Sequence, residues 1–234
     1  MPPVLFTPWD WSGIHLVVFD VDGTLYKQRP VRLRMACDML RYAIFQRNLK
    51  VIAVVAKYRQ IKERLSDEQV DNFEPILIAD TAAATGTSPE AVRTIVSEWI
   101  DQRPLRYVAS CRYSGLPELF AGLRRVGKSI GILSDYPANA KLAALKLNAN
   151  HIIFTGDSNV GLLKPHPRGL EMLIRAAGVL PSATLVIGDR VERDGVAACR
   201  AGARVLIRSS KAIAGWQTFK SFDDPLFAPV LHDQ

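Results

Sequence analysis

The sequence has few cysteines and no long apolar run. Its three cysteines, Cys37, Cys111 and Cys199, are widely spaced and form no CxxC pair, which argues against a disulfide framework and a zinc site. The longest apolar runs, such as residues 51–56, fall far short of the roughly 20 residues that a membrane-spanning helix needs. The first eleven residues have neither a basic start nor a sustained apolar stretch, so no secretory signal is expected. We therefore predict a cytoplasmic protein with reduced thiols and no transmembrane segment.

The composition is that of an ordinary globular protein. The chain has 234 residues, of which 48% are hydrophobic and 23% are charged. These proportions exclude long disordered, collagen-like and coiled-coil segments. The length fits one domain, or one domain that carries an insertion.

Positive charge is concentrated in one stretch, residues 27–64. It contains eleven basic and two acidic residues, so its net charge of +9 exceeds the +7 of the whole chain. One interpretation is a set of solvated helix faces. The other is attraction of an anionic substrate, a membrane surface or nucleic acid. Specific nucleic-acid binding is not expected.

Strand-like and helix-like segments alternate through the second half of the chain and once near its start. The predicted strands are residues 15–19, 129–133, 151–154, 184–187 and 203–207. Their continuous apolar character is typical of strands that are buried on both faces. The predicted helices between them are residues 116–126, 138–147, 167–177 and 192–201. This order predicts an α/β fold with a parallel sheet covered on both sides.

Residues 27–112 do not follow that alternation. Leu33, Cys37, Leu40 and Ile44 recur at helical spacing, and Ser88 followed by Pro89 is a typical start for a helix over residues 91–100. Residues 51–55 are ambiguous, because their β-branched side chains favour a strand although 56–65 continues as a helix. We interpret residues 27–112 as a mostly helical insertion. The C-terminal residues 215–234 are expected to be irregular.

The first strand is followed at once by two carboxylates, Asp20 and Asp22. Residues two apart leave a strand on the same side, so the two like charges lie close together. Either one of them holds a proton or a cation lies between them. An ionised aspartate can attack phosphorus, and its neighbour can act as general acid and then base. Gly23 permits a tight turn that exposes backbone N–H groups to an anion.

A second acidic site follows the strand at 184–187. Asp189 leaves the strand end after Gly188, and Asp194 lies five residues further on. Because ligands of open parallel sheets bind beyond the carboxyl ends of the strands, these acids are expected to converge with Asp20 and Asp22. Oxygen ligands without histidine or cysteine suit Mg²⁺.

Two further polar residues complete the predicted site. Ser134 ends the strand at 129–133, and its hydroxyl can donate to a phosphate oxygen. Lys164 lies on a loop stiffened by Pro165 and can neutralise a phosphate or a charged nucleophile.

Four segments of the chain resemble the four motifs of the haloacid dehalogenase (HAD) superfamily in order and spacing. They are DVDGTL at 20–25, ILSD at 132–135, GLLKPHP at 161–167 and GDRVERD at 188–194. The resemblance implies a Rossmann-like core, residues 1–26 and 113–234, and a helical C1-type cap, residues 27–112. It implies Mg²⁺ as the cofactor and a small phosphorylated metabolite as the substrate.

The resemblance also implies a role for each motif residue. Asp20 is expected to be the nucleophile and Asp22 the general acid and base. The expected Mg²⁺ ligands are Asp20, Asp189 and the backbone carbonyl of Asp22. The remaining assignments are substrate contacts at Gly23, Thr24, Ser134, Asp135 and Lys164, and supporting roles for Gly188 and Asp194.

Asp22 separates the reactions of this superfamily, because its dehalogenases lack the second aspartate. We therefore predict a Mg²⁺-dependent phosphomonoester hydrolase that forms an aspartyl-phosphate. The alternatives are a phosphomutase or a phosphonatase, or a non-catalytic binding module with the same fold. One departure concerns Asp135, since many relatives have asparagine after the serine or threonine of the second motif.

Overall fold

The computed structural model describes residues 6–232, and its centre is one parallel β-sheet. The strand order is β3-β2-β1-β4-β5-β6, and every pair is parallel. Leu16 of the central strand lies opposite Ser129 on one side and Thr184 on the other. The strands are β1 Leu16–Phe19, β2 Ser129–Ser134, β3 His151–Phe154, β4 Thr184–Gly188, β5 Arg204–Arg208 and β6 Thr218–Phe219.

Between β1 and β2 the chain forms a helical insertion, the helices and turns of residues 28–111. Its α-helices are α1 Gln28–Phe45, α2 Lys50–Asp67, α3 Phe73–Thr85, α4 Pro89–Val96 and α5 Leu105–Val108, and a π-helix, Ser97–Gln102, directly follows α4. The ambiguous segment 51–55 is helical, because Val51, Val54, Val55 and Tyr58 form one buried face at helical spacing. Ser88 caps α4 as predicted, accepting a hydrogen bond from the Ala91 N–H at 3.2 Å.

The remaining helices cover the two faces of the sheet. They are α6 Leu116–Arg125, α7 Asn139–Leu145, α8 Arg168–Ala177, α9 Val196–Arg200 and α10 Ala228–Leu231. Phe19 packs on Phe120 of α6, with ring centroids 4.8 Å apart, whereas Leu16 and Val18 pack in the cluster that contains Leu173 of α8. The central strand β1 is completely buried between these two layers of helices. The parallel sheet, its helical layers and the inserted helices confirm the predicted Rossmann-like α/β core with a mostly helical insertion.

Some details differ from the sequence prediction. Leu33, Cys37, Leu40 and Ile44 do lie on a helix, but they face solvent, and the buried face of α1 is formed instead by Val31, Met35, Met39 and Ala43. The helix predicted at 192–201 begins with a π-helical turn, Val191–Gly195, before α9. The C-terminal part contains β6 and α10, since Phe219, Phe222 and Phe227 are buried and hold it against the core. Residues 233–234 of that prediction lie outside the described residues.

Across residues 6–232, every helix is too short or too polar to cross a membrane.

Candidate active site

Asp20 lies at the carboxyl end of the central strand. Its backbone N–H donates to Ile187 O of β4 at 2.9 Å. Its buried carboxylate accepts hydrogen bonds from Lys164 Nζ at 2.6 Å and from Thr24 Oγ1 at 2.9 Å. Burial, together with the nearby Asp194, raises the pKa of Asp20 well above its ordinary value, although Lys164 opposes the shift. The two hydrogen bonds fix the orientation of this carboxylate.

Asp22 has a different set of partners. Lys141 Nζ contacts both of its carboxylate oxygens at 2.7 Å, and the Tyr26 hydroxyl donates to it. Burial alone would raise the pKa of Asp22, but the ion pair with Lys141 and the hydrogen bonds outweigh burial, so the pKa lies below its ordinary value. The two aspartates thus have opposite pKa shifts because their partners differ.

Three acidic side chains form a cluster at the same edge of the sheet. Oxygens of Asp20, Asp189 and Asp194 lie within 4.8 Å of one another. Asp189 Oδ1 is buried without a hydrogen-bond partner among the described residues, and burial followed by Asp194 raises the Asp189 pKa to about 6. A buried, mutually repelling set of hard oxygens fits Mg²⁺. The Asp22 carboxylate lies outside this cluster, so its predicted part in metal binding is that of the backbone carbonyl and stays a prediction.

Two glycines make room for the acidic cluster. Gly23 has φ +103°, and a Cβ at this position would overlap the Asp189 carboxylate. A Cβ at Gly188 would overlap the side chain of Asp194. Glycine is required at both positions because an acidic side chain occupies the space of the missing Cβ.

Lys164 joins the two ends of the cluster. Its Nζ donates to Asp194 Oδ1 at 2.7 Å as well as to Asp20 Oδ1, and it also contacts Leu133 O at 3.4 Å. Burial works against the charge of Lys164, but Asp194 and Asp20 raise its pKa well above the ordinary value. The other oxygen of Asp194 accepts from the Arg190 backbone N–H at 3.1 Å. Asp194 therefore holds the ammonium group beside Asp20.

The loop after β2 explains the unusual acid at position 135. Asp135 Oδ1 accepts from Thr155 Oγ1 at 3.0 Å and from the Lys164 backbone N–H at 3.2 Å. The carboxylate therefore ties β3 and the lysine loop to the end of β2. Ser134 is buried, and its Oγ accepts from the Tyr136 backbone N–H at 3.2 Å.

A cavity of about 280 Å³ opens beside Asp20, between the sheet edge and the helical insertion. Five of the predicted site residues line it, namely Asp20, Asp22, Asp135, Lys164 and Asp194. The other five, Gly23, Thr24, Ser134, Gly188 and Asp189, are not part of its lining. The insertion contributes Gln28, Arg32, Lys62, Glu63 and Ser66.

The insertion side of the cavity is rich in cations. Lys62 Nζ donates to Asp135 O and lies 3.6 Å from the centroid of the Tyr136 ring. Burial lowers the Lys62 pKa from 10.5 to about 8, and Asp135 opposes the shift. Arg32 lines the cavity, and Arg59 lines a smaller adjoining recess. Within residues 6–232, neither arginine forms an ion pair with an acidic residue, so both remain available to an anion.

Helix α2 is tied to the core by the GDRVERD segment. Arg193 Nη2 contacts Glu63 Oε2 and Asp67 Oδ1, each at 2.7 Å, and its side chain is only 6% exposed. The Ser66 hydroxyl donates to Lys164 O. These contacts hold the insertion over the cavity.

The model of the haloacid dehalogenase-like hydrolase family matches residues 14–202, which is most of the chain. The chain belongs to this family. The resemblance drawn from its four motifs is thereby confirmed. No curated protein sequence matches significantly.

Solved structures similar to this HAD-like hydrolase include members with different activities. The 2-haloacid dehalogenase from Pseudomonas syringae is 20% identical, with a TM-score of 0.63 over 89% of this chain and 95% of that one. A predicted phosphoglycolate phosphatase from Haemophilus somnus is 19% identical, with a TM-score of 0.58 over 91% and 96%. The HAD-hydrolase YfnB from Bacillus subtilis, bound to magnesium, is 13% identical, with a TM-score of 0.66 over 93% and 98%. At these identities the likeness establishes the fold.

Several residues of the HAD-like site were not predicted from the sequence. Lys141, Tyr26, Lys62 and Arg193 all contact predicted site residues or the elements that carry them. Two of them had a usable signal. Tyr26 comes four residues after Asp22, and Arg193 lies inside the fourth motif. Lys62 belongs to the basic stretch 27–64, which pointed to an anionic ligand without singling out this residue. Lys141 gave no signal, since it is an ordinary lysine on a helix until the fold brings it to the sheet edge.

Proposed function

We propose that this HAD-like hydrolase is a Mg²⁺-dependent phosphomonoester hydrolase with Asp20 as its nucleophile. The observation that carries the proposal is the separation of the two aspartates. Asp20 is held by Lys164 and Thr24 beside an acidic cluster, whereas Asp22 is held apart by Lys141 and Tyr26. A dehalogenation needs no second acid. The presence of Asp22, held in place by Lys141 and Tyr26, therefore favours phosphate transfer over the dehalogenase reaction.

In the proposed first step, Asp20 attacks the phosphorus and the bond to the leaving oxygen breaks, giving an aspartyl-phosphate and the alcohol. In the second step water attacks this phosphoryl group, Asp22 takes the proton, and Asp20 and phosphate are released. The lowered pKa of Asp22 keeps it ionised, so it can accept the proton of the attacking water in the second step. The same shift works against Asp22 as the acid of the first step. Aryl phosphates, whose leaving group needs no proton, are therefore expected to react fastest.

The residues of the acidic cluster fit Mg²⁺, which would be held by Asp20 and Asp189 with the backbone carbonyl of Asp22. When bound, the cation would neutralise phosphate oxygens during transfer. Lys164 contributes a second positive charge, and Asp194 keeps it in place. Such positioning and charge neutralisation account for most of the catalysis of phosphoryl transfer.

The cavity restricts the substrate to a small molecule. About 280 Å³ accommodates a phosphate with a compact organic group. Arg32 lines this space and Arg59 the adjoining recess, which favours a substrate that carries a second anionic group.

The proposal is tested with a panel of phosphorylated metabolites, p-nitrophenyl phosphate and 2-chloropropionate, each with Mg²⁺ and with EDTA. We expect phosphate release that depends on Mg²⁺ and no chloride release. Asp20→Asn keeps the size of the side chain but removes the attacking charge, so turnover should fall roughly a thousandfold or more. Asp223→Asn, which changes an exposed acid, is the control.

A second variant tests the metal assignment. Asp189→Ala should raise the Mg²⁺ concentration that gives half of the maximal rate, because it removes one ligand. Unchanged Mg²⁺ dependence in this variant would remove Asp189 from the site. Chloride release, or an Asp20→Asn variant that retains a tenth of the activity, would contradict the proposed reaction.

A further inference from the structure

Helix α1 exposes an unusual apolar surface. Leu33, Leu40 and Ile44 are 68%, 54% and 66% exposed, and they lie in one row along the helix with the exposed Cys37. Phe45, at the C-terminal end of α1, is 83% exposed, and Leu49, just beyond it, is 69% exposed. We call these six residues the outer face of α1.

The outer face is not needed for the fold of the described residues. The opposite side of α1 already supplies Val31, Met35, Met39 and Ala43 to the core. Single exposed apolar residues are ordinary, but a contiguous patch of large ones marks a binding surface. Elsewhere in residues 6–232 the exposed large apolar residues are scattered, namely Ile76, Val126, Ile152 and Leu180.

Basic residues surround the outer face. They are Arg29, Arg34, Arg41, Arg47 and Lys50, all of them exposed. The one acid of α1, Asp38, is already bound to the Tyr107 hydroxyl at 2.7 Å and lies 3.7 Å from Arg106. The surface therefore combines apolar side chains with five basic side chains, none of which forms an ion pair with an acidic residue within residues 6–232.

This combination selects among possible partners. A second copy of the chain would bring an equally positive surface against the first, and like charges at close range cost binding free energy. Nucleic acid would leave the leucine and phenylalanine side chains without apolar contacts. An anionic bilayer satisfies both features, since apolar side chains enter the boundary between headgroups and acyl chains while arginine and lysine meet the charged headgroups.

We propose that the outer face of α1 binds the surface of anionic phospholipid membranes. The binding is peripheral, through one helix that lies along the membrane. Gln28 and Arg32, near the N-terminal end of α1, line the cavity, so the docked molecule would hold the cavity close to the lipid surface. The proposal is independent of the reaction catalysed.

Vesicle co-sedimentation tests the proposal with the full chain. The probes are vesicles of phosphatidylcholine alone and of phosphatidylcholine mixed with phosphatidylglycerol. Binding is expected to the mixed vesicles only and should weaken with added salt. The combined variant Arg41→Gln, Arg47→Gln and Lys50→Gln removes three charges and should weaken binding about a hundredfold.

A second variant tests the apolar contribution. Leu40→Gln, Ile44→Gln and Phe45→Gln together should abolish sedimentation with the mixed vesicles, with unchanged circular dichroism and thermal unfolding. The matched control is Leu180→Gln with Arg175→Gln, which changes an exposed leucine and an exposed arginine on the surface of the α/β domain, outside the insertion. This control should bind like the wild type.

Three results would overturn the proposal. They are failure of the wild type to bind mixed vesicles, equal binding to neutral vesicles, and equal loss of binding in the control. Light scattering supplies a fourth test. A dimer that Leu40→Gln, Ile44→Gln and Phe45→Gln dissociates would assign the outer face to a second copy of the chain and overturn the membrane assignment.

Discussion

Lys62 lies where the insertion meets the loop after β2, and its side chain is buried. Its ammonium group contacts the Asp135 carbonyl oxygen and the Tyr136 ring. The charged groups that act on it are Asp135, Lys141, Asp101 and Asp22. These contacts do not offset the cost of burial, and for this reason the pKa of Lys62 is lowered.

The lowered pKa of Lys62 predicts a pH-dependent stability. Between the folded-state pKa of about 8 and the ordinary value of 10.5, the unfolded chain holds a proton at Lys62 that the folded chain does not. The free energy of unfolding therefore rises with pH in this window. The slope is about 1.4 kcal/mol per pH unit. The free energy of unfolding of the wild type minus that of Lys62→Met should therefore increase by about 2 kcal/mol from about pH 8 to about pH 10.

Urea unfolding of both proteins at several pH values measures this difference. Lys57→Met, on the same helix and with its Nζ bound to Gln60, is the control and should follow the wild type. If the difference in the free energy of unfolding between wild type and Lys62→Met stays constant across the window, folding does not lower the pKa of Lys62.

At the scale of single residues, the motif acids were predictable and their partners were not. Asp20 and Asp189 directly follow strands of one parallel sheet, so their meeting follows from local sequence and from the geometry of the sheet. The ion pair of Asp22 with Lys141 joins positions 119 residues apart. No local pattern distinguishes that lysine from the other basic residues of the chain.

At the scale of elements, α2 is the part of the insertion that completes the site. One stretch of it carries Arg59, Lys62, Glu63, Ser66 and Asp67, which face the cavity, the adjoining recess or the core. Its other buried face packs within the insertion. The helix thus connects substrate-facing cations with the contacts that hold the insertion in place.

Arg193 is predicted to control this placement. Arg193→Met removes the contacts with Glu63, Ser66 and Asp67. Hydrogen bonds to a charged group contribute about 1.5–3 kcal/mol each, and less where the partner carboxylate is exposed to solvent, as at Glu63 and Asp67. We expect KM for the phosphorylated substrate to rise roughly tenfold and the amides of α2 to exchange hydrogen faster.

The control for this prediction is Arg64→Met. Arg64 lies on the same helix, but its partner, Asp80, belongs to α3 of the insertion. Loss of this contact should leave KM unchanged. If Arg193→Met also left KM and the hydrogen exchange of α2 unchanged, α2 would not depend on its contacts with the fourth motif. If Arg64→Met raised KM as much as Arg193→Met, the effect would not be specific to those contacts.

Elements were predicted where one physical signal dominated. Continuous apolar runs located five of the six strands, because burial on both faces of a parallel sheet leaves little alternative. The spacing of Leu33, Leu40 and Ile44 predicted a helix correctly, but periodicity identifies an apolar face without saying what covers it. For 51–55 β-propensity was overruled by packing, since Val51, Val54 and Val55 are buried on one side of a helix.

At the scale of the whole molecule, charge is distributed unevenly around the site. Of the three arginines early in the basic stretch, Arg29, Arg32 and Arg34, only Arg32 lines the cavity. Arg34 instead donates to Ser110 Oγ at 2.9 Å and lies over the Tyr107 ring. A test that treats the stretch as one unit would therefore mix cavity charges with charges of the outer surface.

Separating the two sets gives a prediction about ionic strength. For a substrate with a second anionic group, kcat/KM should fall with salt more steeply than for p-nitrophenyl phosphate, since the Debye length shrinks from roughly 30 Å at 0.01 M to about 10 Å at 0.1 M. Arg32→Gln with Arg59→Gln should remove this difference. Arg29→Gln with Arg34→Gln should leave it largely intact, because these side chains lie outside the cavity. If both substrates show the same salt dependence in the wild type, or if the two double variants behave alike, the cavity arginines do not attract the substrate.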